Sequence, residues 1–216
     1  MSARETILGR IRDAQTLAPP APQPIPREYR TGRDLPDDER VELLVDRLVD
    51  YKAHVHRCSA AELPGTIARV LDGIGARTAG VPAGLNDSWT SVFGGDVVVD
   101  SSDVPAPELS RLDAVVTAST VTCAETGTIF LDGGADQGRR ALTLVPDTHV
   151  CVVPLDTIEV GVPESLARLV PQRPTTMISG PSATSDIELE RVEGVHGPRN
   201  LHVVIVDQAV GGGHLP

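Results

Sequence analysis

Three short segments carry the residue types that could do chemistry. The first is Cys123-Ala124-Glu125-Thr126-Gly127-Thr128, which runs into the apolar stretch Ile129-Phe130-Leu131. A carboxylate beside a glycine at the rim of a sheet can accept hydrogen bonds or act as a base or nucleophile. The same letters also spell a plain turn, with Gly127 permitting the bend and Thr128 starting a strand. The second is Ser179-Gly180-Pro181-Ser182-Ala183-Thr184-Ser185-Asp186-Ile187-Glu188, which follows the apolar run 175–178 and reads as a loop opening a short helix. A small-residue loop leading from a strand to a helix N-terminus is a natural anion site. The spacing of Ser185 and Glu188 has a purely structural reading as well, a capping box, and Asp186 in a first helical turn suits the helix dipole. The third is Gly194-Val195-His196-Gly197-Pro198. A histidine between two glycines has little local cover and titrates near neutrality, so it can donate to a bound carboxylate; the alternative is a tight turn with a surface histidine.

Other chemistries find no support. His54 and Cys58 are four residues apart on an expected helix, as two metal ligands would be, but no third ligand is near in sequence. The three cysteines, Cys58, Cys123 and Cys151, form no Cys-x-x-Cys, so this chain alone assembles neither a four-thiolate iron–sulfur cluster nor a zinc ribbon. Gly-x-Gly-x-x-Gly before a helix, a phosphate-loop Gly-Lys and Gly-x-Ser-x-Gly are all missing. Lys52 is the only lysine among 19 basic residues. It lies far in sequence from all three segments, which argues against Schiff-base chemistry and lysine-anchored phosphate.

Charge narrows the partners. Of the formal net charge of −11, none comes from residues 1–57, where ten basic and ten acidic side chains cancel. The body from 58 onward carries it all and would repel nucleic-acid and anionic-membrane surfaces. With one Trp, two Tyr and two Phe, base-stacking platforms are excluded too. No apolar run approaches the roughly 20 residues of a membrane span. The first residues lack the pattern of a secretory signal, so the expected setting is the cytoplasm with reduced cysteines.

The segments need a scaffold to hold them, and its period is legible. Residues 2–16 read as a short helix with Ile7, Leu8 and Ile11 on one face. Five prolines between Pro19 and Pro26 then mark a linker or extended arm. Val41, Leu44, Val45, Leu48, Tyr51, Lys52 and Val55 recur at helical spacing, predicting an amphipathic helix over 38–57, and a second is expected over 62–74. Short β-branched runs follow at 77–81, 96–100, 114–118, 127–131, 150–153, 175–179 and 201–206, with a helix at 164–170. Runs such as Val97-Val98-Val99 read as strands buried on both faces. The expectation is an α/β domain with an open, mostly parallel sheet and flanking helices, preceded by a helical N-terminal segment. Its bounds are 1–57 for the helices and Pro-rich arm, 58–210 for the α/β domain and 211–216 for a frayed tail.

The string Gly180-Pro181-Ser182-Ala183-Thr184-Ser185-Asp186-Ile187-Glu188, followed by Gly194-Val195-His196-Gly197-Pro198 and Leu201-His202-Val203, resembles the lactate utilisation protein C family, which consists of a LUD domain. Glu125-Thr126-Gly127-Thr128 and the helix from Pro163 to Val170 fit the same pattern upstream. The resemblance implies a Rossmann-like fold similar to ribose-5-phosphate isomerase A and the CoA transferases. It also implies a part in oxidising L-lactate to pyruvate beside iron–sulfur partner proteins. Those partners would carry the clusters, leaving this chain the cluster-free subunit with no cofactor of its own. On this reading Thr126, Gly127, Gly180, Ser182, Thr184, Asp186 and Gly197 shape a pocket for a small carboxylate such as lactate or pyruvate, and Glu125 and His196 are the ionisable groups facing it. Two other readings are open. Glu125 followed closely by Gly127 is similar to the acyl-accepting glutamate of CoA transferases, which would make the chain a stand-alone acyl-transfer enzyme. The Pro-rich arm and the helix over 38–57 would otherwise be the docking surface of a non-catalytic anion-sensing or scaffold module.

Overall fold

Five of the seven runs expected as strands come together in one sheet, joined by a strand that helical periodicity had concealed. The computed structural model describes residues 2–17, 24–30, 32–185, 191–193 and 196–207. In chain order its elements are α1 (Ala3–Leu17), α2 (Asp37–Asp50), β1 (His54–Cys58), α3 (Leu63–Gly73), β2 (Thr78–Pro82), β3 (Asp96–Asp100), α4 (Ala106–Leu109), β4 (Ala114–Ala118), β5 (Val121–Cys123), β6 (Thr128–Leu131), β7 (Thr148–Pro154), β8 (Ile158–Glu159), α5 (Val162–Ala167), β9 (Thr176–Ile178), β10 (Ala183–Ser185), β11 (Arg191–Glu193) and β12 (Asn200–Val206). The main sheet has the order β1-β12-β7-β4-β2-β3, and every pairing in it is parallel. A second sheet, β8-β5-β6-β9, mixes parallel and antiparallel pairs, and β10 and β11 form a separate antiparallel pair.

Contacts divide the chain into two units, Met1–Arg30 and Thr31–Pro216. In the first, α1 closes its N-terminus with a reciprocal pair: the Ser2 N–H donates to Glu5 (2.7 Å) and the Glu5 N–H to Ser2 Oγ (3.3 Å). None of its residues is buried. In the second unit the central strands alternate sides, as a strand must. Val203 and Ile205 of β12 and Cys151 and Val153 of β7 face one cluster. Val41, Leu44 and Leu48 of α2, Ile129 and Leu131 of β6, and Ile158 of β8 complete it. Val204, Val206, Val150 and Val152 face the other way, onto Leu63, Ile67 and Leu71 of α3 and onto Trp89. Burial on both faces explains why these strands read as unbroken apolar runs.

The helix expected over 38–57 stops at Asp50. The Lys52 N–H bonds to the Val49 carbonyl and the Ala53 N–H to the Leu48 carbonyl, which ends the helix with Lys52 in the left-handed region at φ 69°. His54 and Cys58 are thus on a strand rather than a helix, and residues 57 and 58, between which the sequence reading divides the chain, are neighbours in β1. Parallel pairing of Val55 with Val203 and of Arg57 with Ile205 is a tertiary event that helical spacing could not foretell. A second departure is β3. Val97, Val98 and Val99 are 39%, 37% and 55% exposed, because β3 ends the sheet with β2 as its one neighbour. Finally, the loop after Ser179 enters a strand, β10, and not a helix.

Candidate functional site

A cavity of about 240 Å³ lies where the second and third chemical segments meet. Its wall is the strand and loop from Thr176 to Ser182, its opposite side is His196, Gly197 and Pro198, and Arg140, Thr143, His149 and Leu201 complete it. The two loops are clasped by backbone chemistry. The Ser182 N–H donates to the Pro198 carbonyl (2.8 Å), and the His196 N–H donates to Ser182 Oγ (3.1 Å). Gly180 is required here: its φ is +80°, and a Cβ on it would lie 2.7 Å from both Cβ and the carbonyl oxygen of Tyr51, just past α2. The loop follows the carboxyl end of β9. For the main sheet, though, this is the amino edge, since His149 and Leu201 are the second residues of β7 and β12. The usual expectation of a ligand beyond the carboxyl ends therefore holds for the small sheet alone.

The predicted residues divide into groups. Gly180, Ser182, His196 and Gly197 are brought together around the cavity. Thr184 lies in β10, paired with Val192, and Asp186 lies outside the described residues. Glu125, Thr126 and Gly127 form the tight connection between β5 and β6, in which Cys123 pairs with Thr128. They do not line this cavity. Glu125 lies 3.4 Å from Arg33 Nη1, and its carbonyl accepts from Arg47 Nε (3.3 Å). Gly127 is held at φ +60° with Arg47 Cβ 2.9 Å from where its own Cβ would be. One link joins this turn to the cavity wall: Thr126 Oγ1 is 2.7 Å from Thr128 Oγ1, which is 2.8 Å from Ser179 Oγ.

Arg140, Thr143 and His149 are the cavity residues that the sequence reading missed. Arg140 donates from Nη2 to the His196 carbonyl (3.1 Å) and from Nη1 to Thr143 Oγ1 (3.2 Å), so it ties the third segment to the cavity rim. Among the described residues no carboxylate lies within ion-pairing distance of it. Its neighbour Arg139, by contrast, is spent on a two-pronged contact with Asp100 (2.8 and 2.9 Å). Burial lowers the Arg140 pKa from its ordinary value, yet a guanidinium keeps its charge in proteins. His149 is 1% exposed; burial, then the nearby Arg140 charge, bring its pKa down to about 4, which keeps the ring neutral. An Arg-Arg pair in an acidic body was the available signal. His149 gave none, because it merges with the apolar run 150–153.

No Asp or Glu lines the cavity among the described residues. In a chain with 30 acidic side chains that is a selective environment: one guanidinium, the hydroxyls of Ser179, Ser182, Thr143 and Thr176, and two imidazoles. Such a set suits a small anion and leaves a cation unserved. No group of three or more metal-ligating side chains occurs among the described residues. The three cysteines are buried and unpaired, and burial pushes the Cys151 thiol up to about 12, which makes it a poor nucleophile. No helix among the described residues is long and apolar enough to cross a membrane.

A parallel six-stranded sheet with flanking helices and a small mixed sheet on one face is the architecture of an open α/β domain. The LUD domain profile matches residues 41–206, and the chain belongs to that family. Lactate utilization protein C of Deinococcus radiodurans is 49% identical over 192 residues, covering 87% of this chain and 85% of its own. Lactate utilization protein C of Oceanobacillus iheyensis is 24% identical over 93% of each chain. The crystal structure of a DUF162 family protein from Deinococcus radiodurans superposes with a TM-score of 0.70 at 44% identity, covering 81% of this chain and all of that one.

Proposed function

We propose that the chain serves lactate utilisation as the cluster-free component of a cytoplasmic assembly that oxidises L-lactate to pyruvate. Its cavity holds the carboxylate of the 2-hydroxy or 2-oxo acid. The observation that carries the reading is the cavity lining: among the described residues Arg140 has no carboxylate partner and no acidic side chain lines the site, in a chain 49% identical to a protein named for lactate utilization. The acid's carboxylate accepts from Arg140 and from hydroxyls of the 176–182 wall, with His196 closing the site from the opposite loop. Electron transfer belongs to iron–sulfur partners, because this chain's buried, separated cysteines offer no cluster ligands of their own.

The test is genetic and direct. Deleting the gene in a host with no parallel lactate pathway is expected to abolish growth on L-lactate as sole carbon source. The wild-type gene restores it, and one encoding Arg140→Gln restores it poorly. Normal growth of the deletion strain sinks the role; full complementation by Arg140→Gln sinks the assignment of the cavity.

A further inference from the structure

We propose that His149, backed by Thr117, forms the floor of the cavity and recognises the oxygen on C2 of the bound acid, accepting from a hydroxyl or donating to a ketone. The inference rests on the reading above that the cavity holds a small carboxylate, and adds to it the group that distinguishes a 2-oxygenated acid from a plain one.

The geometry is specific. His149 lines the cavity although its ring is almost wholly enclosed. Its Nε2 lies 2.8 Å from Thr117 Oγ1, on the adjacent strand β4, and Thr117 is itself fully buried. Nδ1 has no hydrogen bond among the described residues, and it is not one of the polar atoms sealed from solvent without a partner. It is therefore the ring nitrogen left to bond whatever enters the cavity that His149 lines. An apolar pair would pack these two positions of β4 and β7 more cheaply than a Thr–His pair, so the fold itself does not call for these residues.

Thr117 explains how one ring serves two oxidation states. Its hydroxyl has a second possible acceptor, Cys151 Sγ, at 3.9 Å. When the hydroxyl donates to Nε2, the ring proton sits on Nδ1 and the floor is a donor, matching the carbonyl of a 2-oxo acid. When the hydroxyl turns toward the sulfur, it accepts from Nε2–H, and Nδ1 becomes an acceptor for the hydroxyl of a 2-hydroxy acid. The imidazole is neutral in both cases, so no charge is added beside Arg140. The carboxylate meets Arg140 at the rim while the C2 oxygen points to the floor.

Calorimetric titration of the full chain with L-lactate, pyruvate and propionate tests this, since propionate keeps the carboxylate and lacks the C2 oxygen. Wild type is expected to bind lactate and pyruvate about tenfold more tightly than propionate, the effect of one good hydrogen bond. In His149→Leu the preference collapses while propionate affinity is unchanged. His149→Asn, which returns a polar atom near the place of Nδ1, restores part of the preference. Arg140→Gln weakens all three acids alike and keeps the preference. Equal binding of the three acids by wild type overturns the inference and leaves the carboxylate reading standing. Binding of none by wild type overturns both. A loss of all three in His149→Leu with the fold intact marks a structural role and overturns the inference. Should His149→Leu fail to fold, the isosteric Thr117→Val decides, and an unchanged preference there overturns it.

Discussion

At the scale of single residues, the cavity depends on a few close approaches. Gly180 is the clearest. Ala at 180 would add a Cβ against the Tyr51 backbone at a positive φ, so Gly180→Ala is expected to lose about 2 kcal/mol or more of stability in urea denaturation. It is also expected to weaken carboxylate binding, because the loop must shift away. Glu125 provides the contrast. Its contact with Arg33 is long and partly exposed, and the Arg33–Glu125 pair alone is expected to contribute less than about 1 kcal/mol in a double-mutant cycle of Glu125→Gln with Arg33→Gln. Glu125→Gln by itself is expected to leave lactate and pyruvate titrations unchanged; a tenfold loss would bring Glu125 back to the site. The Glu-Thr-Gly letters admitted both a chemical and a turn reading, and local pattern could not choose. What separates them is the β5–β6 pairing, which turns Glu125 toward Arg33 and Arg47 and leaves contact with the cavity wall to the Thr126–Thr128–Ser179 hydroxyls.

At the scale of elements, periodicity was a good guide where an element packs by one face and a poor one at its ends. The buried face of α2, Val41, Leu44 and Leu48, was legible as a helical stripe. Its stop was not, because the residue that turns the chain is Lys52, a side chain that rarely takes φ > 0. Lys52→Gly is accordingly expected to stabilise the protein by about 0.5–1 kcal/mol, read as a higher urea midpoint at unchanged slope. No change would mean that any strain relieved is no larger than the freedom glycine adds to the unfolded chain. The valines of β3 teach a related lesson. A run of β-branched residues specifies a strand, but whether its faces are covered depends on its place in the sheet, and the order β1-β12-β7-β4-β2-β3 puts this one at the edge. The small sheet was half seen: β6 and β9 were expected, while β5 and β8, at three and two residues, are too short for period-2 alternation to register.

At the scale of the whole molecule, buried histidines couple the fold to pH. His149 is held neutral by burial and the Arg140 charge. On β1 and β12, His202 lies against His54 and within 3.2 Å of His56, and burial with those neighbours lowers it to about 4 as well. Both folded values lie below the ordinary 6.5, so the unfolded chain takes up these protons first. Their contribution to stability is complete above about pH 6.5 and is lost as the pH falls toward 4, at up to about 1.4 kcal/mol per pH unit for His149 and less for the more exposed, better screened His202. Urea midpoints measured between pH 7.5 and 4.5 are expected to fall, and His202→Asn to flatten the slope. A midpoint constant over that range would show that these rings protonate freely in the folded state.

The sequence by itself determined the fold class, five of the six strands of the main sheet, the loop segments around Gly180 and His196, and the family pattern that those segments carry. All of these are written in local composition and order, which short-range physics reads directly. Only the tertiary structure decided which polar groups share a cavity. Arg140 follows a turn and His149 hides in an apolar strand, and they meet Ser182 and His196 because four separate stretches of chain converge at the amino edge of β7 and β12. The same convergence moved Glu125 off the cavity. Side-chain chemistry is encoded residue by residue, but its combination into a site depends on strand order and register, which no local pattern specifies.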